Sequence, residues 1–375
     1  EKTDWPSVFA ETGIQFMAIN TLFQLAAETP ERISRASRFL NIADGFNYLL
    51  SGVARAEQSL ASTTQLYNPT SRSWSHSLLK LIGARPELFP VVVPSGTRLG
   101  PLRPEIATET GLRNADVFAT CSHDTGAAVA AVPTAGTDWA FLSSGTWSLL
   151  GVEIPDPILT DACRDLGFTN EIGFGGSVRL LKNIVGLWLV QECRRHWAKT
   201  GQEYDYESLT QLCASSRGFV SLIDPADSRF LAPGDMPEKI TAFCRETGQP
   251  APADPGACVR CVLESLALFY RRTLEQLELL LGRKVRRVHV VGGGSKNRML
   301  NQFVANALHR DVLAGPAEAS AFGNVLIQAI ASGVLPSIEA AREVVRNSVA
   351  METFEPREED SWDRAYGVFQ ELIRK

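Results

Sequence analysis

Three stretches of the chain join the end of an apolar run to small residues and hydrogen-bonding groups. Ser122-His123-Asp124-Thr125 follows Asp116-Val117-Phe118-Ala119-Thr120 and leads into a small-residue helix at Gly126. A carboxylate at a strand end can take a proton from a hydroxyl nucleophile. The alternative is an Asp that caps the helix. His123 can be a second base, a ligand for substrate hydroxyls or a satisfied core histidine. Ser143-Ser144-Gly145-Thr146 lies between apolar runs at 139–142 and 147–152, the pattern of a hairpin. Its backbone N–H groups and hydroxyls can address phosphate oxygens, or it is an ordinary solvated turn. Val291-Gly292-Gly293-Gly294-Ser295 follows the strand-like run 288–291. Glycines there let a nucleotide approach the backbone; the alternative is a tight strand-to-helix turn. Asn297 stands where the third glycine of G-x-G-x-x-G would be, which argues against a dehydrogenase, and the stretch is not a Walker A loop. Neither G-x-S-x-G nor H-E-x-x-H occurs.

These residues need elements to hold them. The 375 residues are a soft prior for two domains, perhaps a third. Apolar residues make up 45% and charged residues 21%, ordinary globular composition. The formal net charge is −5 and no Lys/Arg run exceeds two, so no basic stripe for nucleic acid is present. No apolar window reaches the roughly 18 residues of a membrane span. Seven cysteines, an odd number at irregular spacing, read as reduced cytosolic thiols rather than a secreted framework. A Cys244–Cys261 or Cys244–Cys258 bridge, or a metal at Cys258-x-x-Cys261, is the alternative.

The first third reads as mainly helical, with helices at 21–27, at 42–50 stopped by Gly52, and at 74–81. Residues 61–66 read as a turn or strand end, and 89–100 as a Pro- and Gly-broken connector. From 116 onward strands alternate with helices, which argues α/β. Helices are expected at 187–197, 257–281, after Ser295 and at 319–332, and strands at 288–291 and 311–315. An amphipathic segment at 361–375 closes the chain.

The same residues carry a resemblance. Ser122-His123-Asp124-Thr125 with Ser143-Ser144-Gly145-Thr146-Trp147-Ser148-Leu149 resembles the FGGY carbohydrate kinases. The stretches 181–192, 290–297 and 314–324 narrow it to the rhamnulokinase branch, and Gly13-Ile14-Gln15-Phe16 and Ser62-Thr63-Thr64-Gln65-Leu66 agree. The resemblance runs from about residue 10 to about 355. It implies an actin-like (ribonuclease H-like) α/β fold of two domains with a nucleotide cleft between them. On that basis residues 1–133 are the remainder of an N-terminal, sugar-side domain, 134–350 a C-terminal, nucleotide-binding domain, and 351–375 an extension with a helix. It implies ATP and Mg²⁺ as cofactors and a ketose as acceptor, L-rhamnulose first and L-fuculose or L-xylulose as alternatives. Asp124 is similar to the family's catalytic base. His123, Thr125 and Asn183 are similar to its sugar ligands. Ser144, Gly145, Thr146, Gln191, Gly292, Gly293 and Gly294 are similar to its ATP-binding residues. Asn183 and Gln191 are eight apart, a little over two turns if they share a helix. The family carries a segment on the order of 100 residues, about a subdomain, ahead of Gly13, with a first phosphate loop of Asp-x-Gly type. That segment is not in this sequence, so the expected first domain is incomplete, and a non-catalytic nucleotide- or sugar-binding fragment is a rival reading. The expected setting is cytoplasmic, without nucleic-acid or membrane partners. The sequence does not fix oligomeric state; a monomer is favoured for the full-length protein.

Overall fold

The computed structural model describes residues 3–374. The chain forms two compact units that are discontinuous in sequence. The first takes the residues up to Thr137, then Gly151–Lys182 and Glu318–Val349. The second takes Asp138–Leu150, Asn183–Ala317 and the residues from Ala350. These units group the chain by packing and interleave in sequence, whereas the expected division at 133/134 and 350/351 runs along the chain. Residues 151–182 and 318–349 join the first unit because their apolar faces are buried there, Ile172 and Val178 against Leu66, Tyr67 and Leu79, and Ile327 against Ala127 and Ala130.

The first unit is mostly short helices and two-residue strands around that core. Asp4 caps the helix Trp5–Thr12, and Gly13 ends it in the left-handed region. Ile42–Ser51 ends at Gly52 as its sequence predicts. Residues 61–66, read as a turn, belong in part to the helix Gln58–Thr63. The reason is Glu57, whose carboxylate accepts from Ser59 N and Leu60 N and so starts a helix in a polar sequence. Trp74 lies in a short strand; Ser75 caps the helix His76–Leu81. The strands Thr97–Pro101 and Asp116–Ala119 pair antiparallel and deliver the chain to Ser122.

The second unit is built on three parallel strands, Trp139–Ser144, Arg287–Val291 and Asp311–Ala314, with Glu352–Phe354 antiparallel at the edge. Trp139, Ala140, Phe141 and Leu142 are all buried, the continuous apolar run of a covered parallel strand. The long helix Pro255–Leu281 is capped by Asp254 and stopped at Gly282. The expected closing segment is the helix Glu359–Leu372; Lys375 lies outside the described residues. Helices Tyr206–Ser215, Met236–Glu246 and Ile338–Ser348 have no counterpart in the sequence reading. Cys193 Sγ is 3.9 Å from Cys258 Sγ, and Cys244 hydrogen-bonds Cys261, all among buried, free thiols. Among the described residues no helix is long and apolar enough to cross a membrane.

One buried carboxylate sets a pH dependence. Asp44 is 1% exposed on the helix Ile42–Ser51, and its Oδ1 accepts from Glu57 N at 3.0 Å. Burial raises its pKa from 3.8 to about 7 against the pull of that hydrogen bond. A raised carboxyl pKa favours the neutral form in the fold. The contribution to stability is complete below pH 3.8 and is lost as pH rises through about 7. Asp44→Asn keeps a carbonyl for Glu57 N–H and removes the ionisation. Its melting temperature is expected to exceed that of the unmodified protein at about pH 8 and to converge with it toward about pH 4. Thermal melts across that range check this; an equal difference at both ends contradicts it.

Candidate active site

The first unit holds the Asp124 group. The helix Asp124–Ala130 begins at Asp124, with His123 in the cap position making no side-chain cap bond. Asp124 is thus the first helical residue and not the cap. Its Oδ1 accepts from the adjacent Thr125 N at 2.6 Å, and its side chain is 83% exposed. An exposed carboxylate oriented by the neighbouring Thr125 N–H and hydroxyl can meet a substrate hydroxyl. His123 is half-buried, with Nδ1 3.7 Å from Asp124 Oδ1 and Nε2 4.0 Å from Glu171 Oε2. Burial pushes its imidazole below the ordinary 6.5, opposed by Glu171 and aided by Arg179. A neutral imidazole therefore stands beside Asp124 at neutral pH. Thr125 is buried.

Three groups of residues support this loop. Arg179 and Glu171 face each other across the hairpin Thr169–Ile172/Val178–Val185, with Nη2 3.1 Å from Oε2. Arg179 is 0% exposed; a Cβ on Gly126 would lie 3.6 Å from its Cζ, so the guanidinium runs under the helix's first turn. On the other side, the helix Ala319–Ala331 approaches so closely that a Cβ on Gly323 would lie 1.8 Å from Ala127 O. Ser320 Oγ donates to Asp124 O at 3.0 Å. Behind the loop, Glu57 is buried; Ser122 N donates to its Oε2 at 3.0 Å, and His123 N donates to Ser59 Oγ at 3.1 Å. Sequence reasoning missed Glu57, Ser59, Glu171, Arg179 and Ser320. The one signal available for Glu57 was a lone acid between Ala56 and a polar helix start.

The second unit holds the glycine and Ser/Thr loops. Val291 and Ser143 are register partners at the ends of parallel strands, so Gly292–Gly294 and Ser144–Thr146 leave the sheet side by side. Ligands of open α/β sheets bind outside such carboxyl ends. Gly292 has φ +82, and a Cβ on Gly294 would lie 2.1 Å from Ser144 Oγ. Gly293 is different: a Cβ there would meet nothing within 4 Å. Gly145 N closes the turn on Trp147 O at 2.9 Å, so it is not the free phosphate donor that the sequence reading expects. Ser144 is buried. Thr146 is exposed, and its Oγ1 meets Gln191 Oε1 at 3.2 Å. The structure thus brings Thr146 and Gln191 together. Asn183 does not share Gln191's helix: it lies in the strand Val178–Val185, whereas Gln191 is in the helix Trp188–Lys199. Gly186 breaks the two apart, because a Cβ there would lie 2.5 Å from Ser148 Oγ and the chain turns against that strand.

Comparison with known proteins decides the family. Residues 140–332 match the C-terminal domain of the FGGY family of carbohydrate kinases and residues 1–131 match its N-terminal domain. The chain belongs to the FGGY family of carbohydrate kinases. The kinase is 43% identical to a rhamnulokinase of Bacteroides thetaiotaomicron over 372 residues, 98% of this chain and 76% of that protein. It is 36% identical to the rhamnulokinase of Bacillus subtilis over 354 residues, covering 94% of this chain and 72% of that one. Among solved structures it resembles a ligand-bound xylulose kinase from Lactobacillus acidophilus, at TM-score 0.78 and 14% identity, covering 98% of this chain and 74% of that one. A glycerol kinase of Plasmodium falciparum with ADP matches at TM-score 0.77 and 14% identity, over 100% of this chain and 75% of that one. The kinase thus has the α/β fold of FGGY carbohydrate kinases.

Proposed function

We propose that this kinase transfers the γ-phosphoryl group of ATP to the 1-hydroxyl of L-rhamnulose, giving L-rhamnulose 1-phosphate and ADP. The observation that carries the substrate is the 43% identity to a rhamnulokinase across nearly the whole chain. The exposed Asp124 carboxylate supports the chemistry. Asp124 orients the attacking hydroxyl and receives its proton as oxygen bonds to phosphorus and the bond to ADP breaks. His123, Thr125 and Asn183 are proposed as sugar-side residues. A neutral His123 can both donate to and accept from hydroxyls. Thr146 and Gln191, the Ser144–Gly145 turn and Gly292–Gly294 are proposed for ATP. The exposed Thr146 hydroxyl can meet a phosphate oxygen, and the open face of Gly293 leaves room for the nucleoside. Mg²⁺ neutralises the phosphates when bound. A cytoplasmic setting fits the odd number of cysteines.

The test is ADP release with Mg·ATP and a panel of L-rhamnulose, L-fuculose and L-xylulose. L-Rhamnulose is expected to give the highest kcat/KM by about ten-fold or more, the worth of one well-placed hydroxyl contact. Equal or better turnover of another ketose would reassign the substrate. No turnover of any ketose, with ATP or sugar still bound, would favour the binding-only reading.

A further inference from the structure

Glu57 receives more hydrogen bonds than a helix cap needs. It is 0% exposed, and its carboxylate accepts from Ser59 N, Ser59 Oγ, Leu60 N, Ser95 Oγ and Ser122 N. The first three bonds belong to its own helix start. The bond from Ser122 N, at 3.0 Å, spans 65 residues. The Ser59 hydroxyl donates to Glu57 Oε2 and in turn accepts from His123 N at 3.1 Å, spanning 64 residues. The two backbone N–H groups immediately before Asp124 are therefore both held by one buried carboxylate, one directly and one through Ser59. Burying a carboxylate is costly unless several donors satisfy it. A helix of six residues, Gln58–Thr63, gains too little from a cap to explain five donors.

The position of Asp124 follows from those bonds. Its own side chain is exposed, and the groups at its Oδ1 are Thr125 N, Thr125 Oγ1 and His123 Nδ1 of the adjoining residues, so the backbone of this loop sets where its oxygens lie. A general base must sit within hydrogen-bond reach of the proton it takes. A misplacement of about 1 Å costs on the order of 10²-fold in rate.

We infer that Glu57 and Ser59 are positioning residues for phosphoryl transfer: the buried Glu57 carboxylate, with the Ser59 hydroxyl as its relay, pins the backbone ahead of Asp124 so that its exposed oxygen meets the acceptor hydroxyl. This rests on Asp124 being the base. Neither residue touches substrate. Ser95 is the internal comparison, since its hydroxyl donates to the same carboxylate at Oε1, the oxygen that does not hold Ser122 N.

The experiment compares Ser59→Ala, Glu57→Gln, Ser95→Ala and Asp124→Asn in the native protein. Melting temperature, kcat, and KM for ATP and for L-rhamnulose are measured for each. Ser59→Ala and Glu57→Gln are expected to lower kcat by about ten-fold or more while KM for ATP stays within about two-fold. Ser95→Ala, which removes a similar hydroxyl, is expected to lose markedly less kcat. Should Glu57→Gln fail to fold, Ser59→Ala decides alone, because it removes one hydroxyl and adds no bulk. Equal kcat losses in Ser59→Ala and Ser95→Ala, tracking their melting temperatures, would reduce the network to a folding role and overturn the inference. Folded Ser59→Ala with wild-type kcat, beside an inactive Asp124→Asn, would overturn the inference alone. Full turnover by Asp124→Asn would overturn the assignment of the base and this inference with it.

Discussion

Replacing Asp124 by Asn is expected to lower kcat by on the order of 10²-fold or more and to leave ATP affinity and melting temperature near those of the unmodified protein. The geometry separates the two effects. Asn keeps the carbonyl oxygen that accepts from Thr125 N, so the helix start survives. It loses the oxygen that can accept a proton. Had Asp124 been only a helix cap, Asn would cap the helix about as well and leave turnover intact. The cap position belongs to His123. Single-turnover phosphoryl transfer beside thermal melts distinguishes the outcomes. Near-normal turnover in Asp124→Asn contradicts the assignment.

The three glycines after the strand Arg287–Val291 are expected to divide sharply on substitution. In Gly294→Ala, the new methyl would lie 2.1 Å from Ser144 Oγ and 2.8 Å from Ser144 O. The side chain and backbone of a paired strand end must move, and overpacking of that kind costs about 1–3 kcal/mol. A lower melting temperature without any ligand is the expected result. A Cβ at Gly293 meets no heavy atom within 4 Å and the position needs no left-handed backbone, so the melting temperature of Gly293→Val is expected to stay near that of the unmodified protein. Its isopropyl group instead fills the open face proposed for the nucleoside. ATP affinity should then fall far more than sugar affinity. Isothermal titration with each ligand, beside melts of the free proteins, reads both. Normal ATP binding by Gly293→Val would remove that residue from the nucleotide site.

The candidate site residues were legible because each follows a strand end. Asp124, the Ser144–Thr146 turn and Gly292–Gly294 all follow short apolar runs, and the structure places strands there. Long helices such as Pro255–Leu281 were legible from their apolar periodicity. What failed was local pattern under tertiary control. Asn183 and Gln191 could share one helix by their spacing, yet Asn183 lies in the strand Val178–Val185, whose pairing with Thr169–Ile172 no local signal announces. The helix Gln58–Thr63 was hidden by its polar sequence and depends on a carboxylate whose other partners are more than thirty residues away. Arg179 and Glu171 are charged residues inside a strand hairpin; their burial follows only from facing each other in register under the Gly126 turn. The discontinuous units were not legible, since a boundary inside the strand Trp147–Ile154 leaves no Pro- or Gly-rich linker.

The closeness of Gly323 to Ala127 has a consequence for biosynthesis. The helix that begins with Asp124 leaves the ribosome nearly two hundred residues before Ala319–Ala331, the helix that covers it. Until then Ala127 and Ala130 lack Ile327, against which they are buried in the finished protein. The Asp124 loop therefore lacks that helix through most of translation. A nascent chain stalled after residue 317 should be cut by protease near residues 124–130, and one released after residue 349 should resist.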